Sequence, residues 1–148
     1  MLRDLLVGCG VSLLNFGVHA LMTALIVVTT RHTYARTQHH GIFLRLAALM
    51  FITMIVLMFA HVMEIAIWAV MLNFGGIIVK GTDIFTFAFE NYTALGYGDA
   101  LPTEAPRRLI GPVIALNGLL LIGWSVAVIF EVMRMAEFQV GHRGRDSD

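Results

Sequence analysis

Charge is scarce in this sequence. Asp, Glu, Lys and Arg make up 14% of its 148 residues, and ten basic side chains are matched by ten acidic ones. A soluble domain carries about 25% charged residues. The even balance excludes a nucleic-acid binder, which needs a basic face. Cysteine is nearly missing: Cys9 stands alone, so an intrachain disulfide framework and a cysteine-based zinc site are excluded. Internal repeats, linkers and low-complexity segments are also lacking. No HExxH, Ser-centred motif or nucleophile–base pair supports an enzyme. What remains is apolar: 58% of residues are hydrophobic and the mean hydropathy is +0.80. Such a composition excludes disorder and indicates an integral membrane protein.

A helical span needs about 20 mostly apolar residues. Residues 5–30 contain no charged side chain, residues 46–72 contain only Glu64, and residues 109–133 contain only Glu131. The first run is too long for the apolar region of a signal peptide and lacks a basic start, so it reads as a span. The expected class is therefore an all-α membrane protein with three transmembrane helices. The hydrophilic segment after the last span is short, and no cytoplasmic sensor domain is expected in it.

Residues 82–93 are apolar enough to enter a bilayer and too short to cross it. Thr82 or Asp83 suits an N-cap, and Asp83 the positive end of a helix dipole. A re-entrant half-helix follows from this. Gly96-Tyr97-Gly98-Asp99 comes next, and irregular backbone at membrane depth is tolerated only where protein or water covers it. This stretch should line a water-filled path.

Basic residues in short loops orient the chain. Arg31, Arg36 and Arg45 lie after the first span, and Arg134, Arg143 and Arg145 after the third. Three spans place both groups on one side, expected to be cytoplasmic, in the cell inner (plasma) membrane with the N-terminus outside. Arg107 and Arg108 run against the bias, beside Asp99 and Glu104.

The segment Thr93-Ala94-Leu95-Gly96-Tyr97-Gly98-Asp99 resembles the selectivity filter of the potassium channel pore family, whose usual pattern is Thr-Thr-Val-Gly-Tyr-Gly-Asp. The resemblance extends over about residues 46–133 and covers outer span, pore helix, filter and inner span. His61-Val62-Met63-Glu64, Trp68-Ala69 and the stretch from Asn117 to Ser125 are similar to small bacterial channels with one extra N-terminal span. The resemblance implies residues 1–40 as that extra span with a basic loop, 41–136 as the pore domain, and 137–148 as a short cytoplasmic tail. It implies a C4 homotetramer among membrane lipids, with K+ ions held by the backbone carbonyls of Ala94, Leu95, Gly96 and Tyr97, and no organic cofactor. A potassium-selective channel is the leading reading. A weakly selective monovalent cation channel and a non-conducting regulatory or scaffold subunit are the alternatives. Voltage sensing is not expected, since no span carries Arg at every third position.

Departures from the family pattern carry their own expectations. Ala94 stands where a second Thr is usual, which removes a ring of hydroxyls from the innermost ion site. Glu90 is expected to pair with Asp99 behind the filter and share a proton with it. Tyr97 should point into an aromatic cuff, but Thr86 and Phe87 replace the indoles common there, and Thr86 is left to bond the phenol.

On the inner helix, Pro106 fits a first-turn position, whereas Pro112 should kink the helix. Gly118 and Gly123 suit either hinges or close packing. Asn117 should either ring the cavity or bond another helix, and Trp124 either narrow the inner mouth or pack. In the outer spans, Ser12, Asn15, His19 and Thr23 share one helical face, and His61 and Glu64 another. An Asn15–His19–His61–Glu64 network is expected between them, serving either as glue or as a proton-sensitive element. His61 and Glu64 alone supply too few ligands for a metal.

Overall fold

The periodicity of the buried positions sets how the long apolar segments pack. In a computed structural model, residues 2–36, 41–77, 79–97, 100–103 and 105–145 are described. They form α1 (Leu2–Arg36), α2 (Ile42–Phe74), α3 (Ile84–Tyr92), a 3-10 turn (Ala105–Leu109) and α4 (Ile110–Arg145). Three of these helices are long and apolar enough to cross a membrane.

Each long helix buries one stripe. On α1 it is Gly8, Asn15, His19, Ile26 and Thr30; on α2 it includes Leu49, Leu57, Glu64, Trp68 and Leu72; on α4 it is Ile110, Ile114, Asn117, Leu121, Ser125, Val128 and Val132. Steps of three, four and seven keep these positions on one face. The opposite faces leave bulky apolar side chains bare, such as Phe51, Met58 and Phe130. That is what lipid or further protein in the bilayer would cover.

α1 runs antiparallel to α2 and parallel to α4. Going along α1, Gly8 meets Val113, Asn15 meets Asn117 and His19 meets Trp124. Two apolar cores result. One surrounds α3 and contains Trp68, Leu72, Phe87, Tyr92, Ile114 and Leu121; the other holds Ile26, Leu49, Leu57, Val128 and Val132. The buried polar residues His19, Glu64 and Ser125 lie between them.

Flanks of α3 are tied together. Val79 pairs with Pro102 in an isolated antiparallel bridge, and Arg107 donates to the carbonyls of Gly75 and Gly76 at 3.2 and 2.8 Å. The half-helix therefore hangs from a closed loop between α2 and α4.

One sequence expectation changes here. α4 begins at Ile110, so Pro112 sits in its first turn, where a missing N–H costs nothing, and no kink follows. The helix also continues through the tail to Arg145.

Candidate functional site

The pore helix α3 starts and stops by local chemistry. Asp83 is its N-cap: one carboxylate oxygen accepts from the Thr86 backbone N–H at 2.7 Å and the other from the Thr86 hydroxyl at 2.7 Å. These bonds hold the Asp83 carboxyl below its ordinary range. They also commit the Thr86 hydroxyl proton to Asp83, so any bond with the Tyr97 phenol would have Thr86 as acceptor. Phe87 lies fully inside the core.

At the other end, Thr93 caps the helix and Ala94 takes a left-handed conformation with φ 56°. The Ala94 N–H donates to the Asn91 carbonyl at 2.9 Å and the Leu95 N–H to the Glu90 carbonyl at 3.0 Å. This is the double bond of a Schellman turn, formed around a residue other than the usual glycine. A β-branched side chain is strongly disfavoured at such a φ, and alanine much less so. Gly96 is left-handed as well, with φ 53°. Among the described residues, no backbone N–H donates to the carbonyls of Ala94, Leu95, Gly96 or Tyr97. Gly98 and Asp99 lie outside the described residues, and so does the expected Glu90–Asp99 pair. Glu90 lines a cavity of about 140 Å³ behind Gly96 and Tyr97, with Asn91 and Arg108. Tyr97 is 66% exposed within the single chain.

α4 closes on this helix through its glycines. A Cβ on Gly118 would lie 2.0 Å from the Tyr92 carbonyl oxygen, and one on Gly111 would lie 2.6 Å from Asn91 Oδ1. Close approach therefore accounts for Gly118. Gly123 meets nothing within 4 Å. Asn117 is buried in the helix junction, where its Oδ1 accepts from Asn15 Nδ2 at 3.0 Å and from the Trp68 indole at 2.9 Å. It is an interhelical anchor, not a ring in the pore cavity. Trp124 packs edge-on against His19, with ring centroids 5.4 Å apart.

A second polar assembly lies below Asn117. Glu64, fully buried, is its centre. His19 Nδ1 lies 2.8 Å from Glu64 Oε1, and His61 Nδ1 lies 3.1 Å from Oε2. The Tyr92 hydroxyl donates to Oε2 and stands 2.8 Å from His61 Nδ1. Both Nε2 atoms face one oxygen, Ser125 Oγ, at 2.9 Å from His61 and 3.4 Å from His19. Asn15 joins through the Glu64 backbone carbonyl at 3.4 Å. The four residues singled out from the sequence thus meet, and α3 and α4 join them. Tyr92, Trp68 and Ser125 were not anticipated. Ser125 could have been found, because it lies on the face of Ile114, Asn117 and Leu121 at helical spacing.

A half-helix held between two membrane-spanning helices ends in a turn whose carbonyls accept from no backbone N–H among the described residues. A model of the ion channel family matches residues 52–135, more than half of the chain. The potassium voltage-gated channel protein Shal of Drosophila melanogaster is 33% identical over 79 residues, covering 49% of this chain and 14% of that protein. No solved structure matches. The chain belongs to the ion channel family, and the potassium-channel resemblance of its filter segment is supported by both findings.

Proposed function

We propose that the protein is a potassium-selective channel, working as a C4 homotetramer in the plasma membrane with its C-terminus cytoplasmic. The observation that carries this reading is the end of α3, where the turn through Ala94 leads into Leu95-Gly96-Tyr97 with four carbonyls that no backbone N–H among the described residues claims. One chain supplies one file of oxygens, and four copies around an axis would replace the hydration shell of K+. The C-terminal end of α3 would direct partial negative charge at the cavity below and favour cations there. The likeness to Shal, a potassium voltage-gated channel protein, supports the choice of ion. Gly123, with no neighbour within its own chain, is the proposed bending point of α4.

Ala94 favours a second reading, a weakly selective monovalent cation channel, because its site lacks hydroxyl oxygens. Liposomes holding the purified protein under opposed K+ and Na+ gradients separate the two. A reversal potential near the K+ equilibrium value supports selectivity. A reversal near zero with measurable current supports the weakly selective pore, and absence of current under all conditions would count against both.

A further inference from the structure

Glu64, His19, His61, Tyr92 and Ser125 form one largely buried cluster, and the Glu64 charge in it is balanced either by a protonated imidazole or by a bound cation. With Glu64 ionised and both imidazoles neutral, the tautomer that satisfies the carboxylate places Nδ1–H of each ring toward its oxygens. Both Nε2 lone pairs then face Ser125, whose single hydroxyl proton can serve one of them. A carboxylate buried between two apolar cores also needs a compensating cation.

We propose that His19 Nδ1, His61 Nδ1 and a Glu64 oxygen bind a divalent transition-metal ion of the zinc class, with the Tyr92 oxygen at a fourth position. The donors come from α1, α2 and α3, and one atom from each of His19, His61 and Glu64 can be chosen so that all lie within 4.8 Å of one another. In a tetrahedral site with bonds of 2.0–2.1 Å, neighbouring donors stand about 3.3 Å apart. The observed separations of 2.8 Å from His19 Nδ1 to Glu64 Oε1, 3.1 Å from His61 Nδ1 to Glu64 Oε2 and 2.8 Å from His61 Nδ1 to the Tyr92 oxygen each lie within about 0.5 Å of that value.

Coordination also settles the proton shortage. A ligating imidazole carries its proton on the other nitrogen and donates it to a neighbouring acceptor. Metal at both Nδ1 atoms puts a proton on each Nε2, and Ser125 Oγ has two lone pairs to accept them. Ser125 is then a positioning residue that orients both rings. The sequence pair His61 and Glu64 lacked a third ligand; the fold supplies it as His19. His61, with 19% of its side chain exposed, gives the entry path. The ion would lock α1 and α2 to the pore helix.

The test uses the full-length protein without a polyhistidine tag, in nanodiscs, titrated with Co2+ as a spectroscopic stand-in. The expected result is the intense visible absorption of four-coordinate Co2+ at one ion per chain, abolished by added Zn2+. Glu64→Gln and His19→Gln should each remove it, while a His39→Gln/His40→Gln double variant keeps it. Ser125→Ala, which retains all ligands, should weaken binding about 10- to 100-fold. Two results would overturn the proposal: no such absorption from intact wild-type protein, or absorption and affinity unaltered by Ser125→Ala or by a correctly assembled Glu64→Gln. The absorption is read without any current, so failure here is distinct from failure of the channel assignment.

Discussion

Gly118 of α4 lies so close to Tyr92 of α3 that a Cβ there would come 2.0 Å from the Tyr92 carbonyl oxygen. The obstacle is backbone and cannot rotate away. Gly118→Ala must therefore push the pore helix or α4 aside, and overpacking of this kind costs about 1–3 kcal/mol or more. The expected outcome is a lower thermal midpoint of the assembled protein and a disturbed reversal potential. Gly123→Ala, in open space, should leave the thermal midpoint unchanged and reduce channel opening if Gly123 is the bending point.

Ala94 gives a prediction with two arms. An L-residue in the left-handed region costs about 1–2 kcal/mol relative to glycine, so Ala94→Gly should raise thermal stability. Ala94→Thr should do the opposite, since a β-branched residue resists that φ, and should restore hydroxyl oxygens to the innermost ion site. The K+/Na+ permeability ratio should rise in this variant. An unchanged ratio together with unchanged ion occupancy would remove the weakly selective reading's physical basis.

Asp83 holds the start of the pore helix through two bonds to Thr86. Its folded carboxyl is depressed below the ordinary value of 3.8, chiefly by the Thr86 backbone N–H and then by its hydroxyl. A depressed carboxyl stabilises the fold above its unfolded pKa, and that contribution fades as pH falls through the lowered value. Asp83→Ala should reduce stability at neutral pH and flatten the acid limb of the stability curve. Asp83→Asn, still a good cap, should flatten the acid limb while keeping most of the neutral-pH stability.

The amides at the helix junction couple three spans. Interhelical hydrogen bonds in membranes average about 0.6 kcal/mol in double-mutant cycles. An Asn15→Leu and Trp68→Phe cycle should show that both act through Asn117, with non-additive losses in thermal unfolding. Strictly additive losses would mean that the shared Asn117 Oδ1 does not link them.

The architecture was readable because apolar length and the Gly-Tyr-Gly motif are local signals. Three spans, a capped half-helix and the packing of α1 on α2 all appear where charge and periodicity put them. Side-chain destinations were less legible. Thr86 looked like a cuff residue, yet Asp83 three positions earlier captures its hydroxyl. Asn117 had two equal prospects, and only the arrival of Asn15 and Trp68 from other helices decides between them. Pro112 looked internal until the 3-10 turn placed the start of α4 later than hydropathy suggests. Tyr92 escaped notice because its partner Glu64 sits 28 residues away, a separation that no local pattern encodes.

The polar junction divides α4 into two mechanically different parts. Up to Ser125 the helix is fastened to α1, α2 and α3 by hydrogen bonds and by the glycine contact. Beyond it, Val128 and Val132 pack into the second apolar core. The part from Val126 to Arg145 is a lever of about 30 Å at 1.5 Å per residue. A bend of one degree at the junction then moves its far end by about 0.5 Å, so a tilt of several degrees would displace the C-terminal end of α4 by several ångströms.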